Sequence, residues 1–208
     1  MRGQRIFAIA SSLVSFAFYV VVVGCAINFV LRTYRVVTGD ADVTNVHKAP
    51  LSFEVKSFGP FDSVVMVPNT YSKGKEAALV KQTDRFQLLV ACRSPLGIYD
   101  YFLNLLAMAA LVYGMWQLRS IFRSITVKEP FTPANARRIR NIGLLLIGAD
   151  VVKLINYFIF GSMAKKYFVE TELLTDIGGG IWIGALVLAL SVVYQRGVEI
   201  YSDNQLTI

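Results

Sequence analysis

The chain has 208 residues, 55% hydrophobic and 17% charged, with a mean hydropathy of +0.52 and a formal net charge of +7. Soluble domains average about 45–50% apolar and about 25% charged residues, so this composition excludes an ordinary soluble domain and points to the membrane. The positive charge is scattered along loops with no nucleic-acid-binding motif beside it, which argues against direct nucleic-acid recognition and for span anchoring at the bilayer.

A helix needs about 20 mostly apolar residues to cross a bilayer. The first such run extends from Ile6 to about Leu31. Residues Val22, Val23, Gly24 and Cys25 resemble a lipoprotein processing box, but the chain stays apolar through Ile27, Phe29, Val30 and Leu31. That run exceeds the 7–15 residues of a usual signal-peptide core, so it is read as an uncleaved span. Residues 1–35 therefore form the N-terminal tail and span one.

Residues 36–96 follow as an outer segment. Its stretches LSFEVKSF, FDSVVMVP and DRFQLLVAC are rich in Val, Phe and Leu, with partial alternation and Gly-Pro or Asn-Thr breaks between them. They predict a small β-rich insertion between spans one and two, marginal by itself and leaning on the helices. The single histidine, His47, lies in this segment with no second metal-type ligand pattern near it, and no nucleophile and base pair accompanies it. No cofactor is expected.

Three further spans are predicted within 97–196, at Ile98–Leu118, Ile142–Met163 and Ile177–Tyr194, followed by a tail over 197–208. The fold class expected is thus an all-α membrane protein, a four-helix transmembrane bundle carrying that β-rich insertion. Arg2 and Arg5 precede span one, and the 119–141 connection holds Arg119, Arg123, Lys128, Arg137, Arg138 and Arg140. Positive-inside counting places both segments, and hence the C-terminal tail, in the cytoplasm of a cell whose plasma or inner membrane holds the chain. Arg32 and Arg35, with Lys165 and Lys166, run against that rule without reversing it. Thr132 is placed to cap the helix of span three and Pro133 to occupy its first turn.

Span three contains Asp150 and Lys153, three residues apart on one face that Tyr157 extends. Counted from Thr132 they fall near mid-membrane, where ionisable groups are costly and are paired, cavity-facing or functional. Asn28 in span one and Asn104 in span two offer hydrogen bonds across the bundle. Two readings stand side by side: a candidate intramembrane polar site of Asp150, Lys153, Tyr157 and Asn104 serving ion or substrate passage, or a self-neutralised pair with amides holding the helices together. Gly180 and Gly184 form a small-xxx-small pair suited to close helix approach, within the chain or in a homo-oligomer. The catalytic sets an intramembrane enzyme needs are missing, so a non-enzymatic protein is expected.

Pro130-Phe131-Thr132-Pro133, with Asn135, Arg137, Arg138, Ile139 and Gly143, resembles the central signature of a prokaryotic membrane family known as domain of unknown function 2975. The closing stretch YQRGVEIYSDNQLTI is similar to that family's end pattern, through Arg196-Gly197 and Leu206-Thr207-Ile208, with Tyr194 and Gln205 as departures from it. The resemblance implies a four-span protein whose genes often neighbour one for a small helix-turn-helix regulator. It thereby suggests a regulatory protein that holds a cytoplasmic partner of that kind. Thr132, Arg137, Arg138, Arg140 and Glu199 are the candidate docking residues, with a small transporter or channel subunit using Asp150 and Lys153 as the alternative.

Overall fold

The computed structural model describes residues 2–39, 51–57, 70–71, 77–82, 85–127, 131–166, 171–173 and 178–205. His47, the FDSVVMVP stretch and Leu206-Thr207-Ile208 lie outside these residues. Four helices dominate: α1 (Arg2–Thr38), α2 (Pro95–Val127), α3 (Pro133–Ala164) and α4 (Gly179–Gln205). Each contains a stretch long and apolar enough to cross a membrane, at Phe7–Thr38, Pro95–Ile125, Pro133–Ala164 and Gly179–Asp203. Large apolar side chains are exposed along all four, among them Phe16, Phe102, Phe158 and Trp182. A helix apolar around its whole circumference suits lipid and would be untenable in water. The chain is a multi-pass membrane protein.

The helices overrun the apolar runs of the sequence. α1 continues past Leu31 to Thr38 and α2 begins at Pro95, three residues before Ile98. The extra turns are held by polar contacts. Arg32 forms an ion pair with Asp100 at 2.7 Å, and the hydroxyls of Thr33 and Tyr101 share a hydrogen bond at 3.0 Å. Arg93 donates to the carbonyls of Val36 and Val37 at the C-terminal end of α1, where helix carbonyls lack intrahelical partners. Ser94 caps α2, its Oγ accepting from the Gly97 N–H at 3.1 Å, and Pro95 fills the first helical position.

Short strands β1 (Leu51–Ser57), β2 (Thr70–Tyr71), β3 (Ala77–Gln82), β4 (Arg85–Val90) and β5 (Thr171–Leu173) join in one sheet of order β2-β3-β4-β1-β5, with every pairing antiparallel. The expected β-rich insertion between spans one and two is not supported. The sheet takes β5 from the connection after α3, and much of 36–96 lies outside the described residues. Leu88 and Val90 of β4 are fully buried, and burial continues through Ala91, Cys92 and Leu96 into the start of α2.

The chain divides into two compact units. One comprises Asn28–Leu105 with Lys153–Asp176 and contains the sheet; the other comprises Met1–Ile27, Leu106–Val152 and Ile177–Ile208. In the second, α3 and α4 touch backbone to backbone. A Cβ on Gly184 would stand 2.8 Å from the Gly143 carbonyl oxygen, and one on Gly143 would stand 3.0 Å from that of Gly184. Gly180 meets the Leu146 carbonyl in the same way, at 2.8 Å. The Gly180 and Gly184 pair therefore serves packing within the chain. Without a hydrophobic drive between helices in lipid, such close van der Waals approach is a principal source of association.

Replacing Gly184 by Leu is expected to lower the thermal midpoint in mild detergent by more than 5 °C, since overpacking a tight contact costs about 1–3 kcal/mol or more. Gly148→Ala, at a position with nothing within 4 Å of the added carbon, leaves the midpoint unchanged or raises it. A thermal melt of both variants decides. Burial pushes the Cys92 thiol above its ordinary range, against the lowering pull of Arg35. In a Cys25→Ser background, Cys92 is expected to react with maleimide at pH 8 at least tenfold more slowly in the folded protein than after denaturation. The neutral thiol is the favoured folded form, so its contribution to stability is present below the unfolded thiol's range and is lost as pH rises through it.

Candidate functional site

α3 starts at a built cap. The Thr132 Oγ1 accepts the Asn135 N–H at 3.3 Å, and the Thr132 carbonyl accepts from Asn135 and Ala136. Asn135 is fully buried, and its amide reaches α2 by donating to Ser124 Oγ at 2.5 Å. Arg138 joins this knot, donating to Asn135 Oδ1 at 2.9 Å and to the Ser120 carbonyl at 3.3 Å. Of the candidate docking residues, Thr132 is thus engaged as the cap of α3 and Arg138 in joining α3 to α2.

Arg137 and Arg140 point elsewhere. At three residues apart they share a helix face, and Arg138 is turned about 100° from Arg137. With Glu199 they line a groove of about 360 Å³ between α3 and α4, together with Pro133, Ala136, Ser191, Gln195 and Val198. Both arginines are exposed. Glu199 is bound to Arg196 at 2.9 Å, an exposed pair three residues apart on α4. Such pairs contribute little to stability, so this one mainly removes Glu199 as a partner for the arginines across the groove.

Beside the groove, Phe131 closes the corner between the helices. Its ring lies 5.4 Å from that of Tyr194 and 6.1 Å from that of Tyr201, and rests over Gly197, where a Cβ would come within 3.2 Å. A side chain at residue 197 would press on the Phe131 ring, which would have to shift by a few tenths of an ångström. The Pro-Phe-Thr-Pro stretch and the Arg-Gly stretch, far apart in sequence, thereby form one surface. Neither this stack nor the Asn135–Ser124 bond was among the expected site contacts. A glycine within a helical run, Gly197, is the one sequence signal of the stack.

Asp150 is 1% exposed. Its Oδ2 accepts from the backbone N–H groups of Gly178, Gly180 and Ile181 at 2.9, 2.8 and 3.1 Å. Those are orphan donors of the first turn of α4, which begins in Gly178-Gly179-Gly180 with no side chain able to cap it. Gly178 has a φ of +114°, a conformation that a side chain would strain. A carboxylate from α3 thus acts as the cap of α4, with the helix dipole favouring its negative charge. This puts Asp150 beside the first turn of α4 rather than midway along that helix. Lys153 is exposed, and Tyr157 and Asn104 are half-buried; all three belong to the unit that holds the sheet.

Two other polar contacts tie the unit. Buried Gln117 donates to Tyr113 Oη at 2.7 Å, and Asn141 donates to the same oxygen at 3.4 Å. Arg119 lies over the rings of Phe18 and Tyr19, at 5.0 and 4.8 Å, and donates to the Tyr19 hydroxyl at 3.0 Å. It anchors α2 to α1 through stacking.

A family model described as "Protein of unknown function (DUF2975)" matches residues 87–208, more than half of the chain. The chain belongs to the DUF2975 family. The DUF2975 region begins within β4 and takes in α2, α3 and α4, so it contains the α3 start, the groove, the Phe131 corner and the Asp150 cap. α1 lies before it. Comparison with curated proteins and with solved structures gave no match.

Asp150→Ala strips three amides of their acceptor and is expected to destabilise the protein by about 2–4 kcal/mol, whereas Asp150→Asn keeps an acceptor oxygen and costs about half as much. Unfolding in detergent by a graded denaturant measures both. Equal stability of Asp150→Ala and wild type would show that the cap carries no weight.

Proposed function

We propose that this multi-pass membrane protein is a non-enzymatic regulatory protein whose α3 start and α4 end form a docking surface for a cytoplasmic partner. The observation that carries the reading is the meeting of the two signature stretches: Phe131 seated on Gly197 between Tyr194 and Tyr201, with Arg137, Arg140 and Glu199 around one groove. Positive-inside counting supports the cytoplasmic assignment of this end, since Arg119, Arg123, Arg137, Arg138, Arg140 and the N-terminal Arg2 and Arg5 would lie together there. It puts both termini in the cytoplasm and the sheet outside, in a plasma or inner membrane. The neighbourhood of helix-turn-helix genes, which the family resemblance implies, supports a small regulator of that class as the partner.

The capping of α4 by Asp150 favours a structural role for that carboxylate over the rival reading of a transporter or channel centred on Asp150 and Lys153. The three N–H bonds on its Oδ2 hold the carboxylate to the start of α4, which supports a fixed structural group.

Mild-detergent purification of the tagged full-length chain from its native host, followed by mass spectrometry, tests the docking surface. A helix-turn-helix protein is expected with the wild type and at least tenfold less of it with Glu199→Lys, which leaves Arg137, Arg138 and Arg140 in place. Equal recovery from a correctly inserted variant, or recovery of no such protein from the wild type, would sink the proposal.

A further inference from the structure

We propose that the groove between α3 and α4 holds the phosphate-bearing head group of an anionic phospholipid, with Arg137 and Arg140 as its cationic wall. Neither guanidinium has a hydrogen-bond or ion-pair partner among the described residues, while Arg138 and Arg196 on the same two helices are both engaged. Two arginines one turn apart near the N-terminus of α3, without a partner among the described residues, offer planar forks that match the oxygens of a phosphate or a carboxylate bidentately.

Depth selects the source of that phosphate. α3 has 32 residues and α4 has 27, so they run about 48 Å and about 40 Å at about 1.5 Å per residue. The hydrocarbon core is about 30 Å thick, so both helices extend into the head-group layer. Arg137 lies about one turn and Arg140 about two turns from the start of α3, at the level where head groups lie. The lining suits a lipid as well. Pro133, Ala136 and Val198 add apolar surface to the lining beside the arginines, and Gln195 adds a polar amide from α4. The volume of about 360 Å³ equals roughly a dozen water molecules at about 30 Å³ each, more than an inorganic phosphate fills and suited to a glycerophosphate head group. Glu199, the one acidic residue in the lining, is neutralised by Arg196 and does not repel the anion.

The inference concerns the same groove as the docking surface but does not rest on that reading, and its test contains no cytoplasmic protein. The full-length chain, purified in mild detergent and stripped of lipid, is titrated with phosphatidylglycerol or phosphatidylcholine, and bound lipid is counted by native mass spectrometry. The wild type is expected to retain phosphatidylglycerol at a concentration at least tenfold lower than phosphatidylcholine. Arg137→Gln with Arg140→Gln erases that preference while phosphatidylcholine retention stays unchanged, which shows the chain intact. Lysine at both positions keeps part of the preference, and Lys165→Gln with Lys166→Gln keeps all of it. Absence of a preference in the wild type, or its persistence in the double Gln variant, overturns the proposal. Displacement of the lipid by millimolar inorganic phosphate would identify an aqueous anion as the occupant and overturn the lipid assignment. Displacement by a polyglutamate peptide at lower concentration than the lipid would do the same in favour of an acidic protein segment.

Discussion

The first N–H groups of a helix have no intrahelical partner, and away from water each costs free energy if it is left bare. α4 meets this constraint with no cap of its own, since it begins in three glycines. The Asp150 carboxylate supplies the missing acceptor from α3. Two other features follow from that placement. Gly180, Gly184 and Gly143 must be bare for the helices to lie close enough for the carboxylate to reach, and their close approach in turn positions the groove further along the same pair of helices. The cap at one end and the Phe131 stack at the other hold α3 against α4 over the length between them.

The arginines at the start of α3 divide by geometry. One turn of helix sends Arg138 toward α2, where a fully buried Asn135 and the Ser120 carbonyl receive it, and leaves Arg137 and Arg140 on the side that faces α4. A cluster that reads as a single basic run is therefore one arginine engaged within the protein and two exposed along the groove. On α2, Arg119 is stacked on Phe18 and Tyr19.

Much of this was legible in the residues. Run length alone located four spans, because lipid requires about 20 apolar residues and no soluble helix of this chain would display Phe16 or Trp182 outward. Thr132 and Pro133 marked the start of α3 through cap chemistry that is local in sequence. The span ends were less legible: α1 and α2 continue through Arg32 and Asp100 because those charges meet each other, a pairing of distant residues that hydropathy does not register. Asp150 was visible as an anomaly, yet the nearby Lys153 was a more obvious partner than three backbone amides 28 and more residues away. The seating of Phe131 on Gly197 left no local trace at either residue beyond an unexplained glycine in a helix.

The Asp150 cap also bears on how the chain is made. α3 leaves the ribosome before α4, so its carboxylate enters the membrane with none of the amides that later receive it. A single charge near the centre of an inserting helix disfavours entry by about 2.5–3.5 kcal/mol. The first turn of α4 offsets part of that cost when it arrives, so the element made later relieves a burden carried by its predecessor.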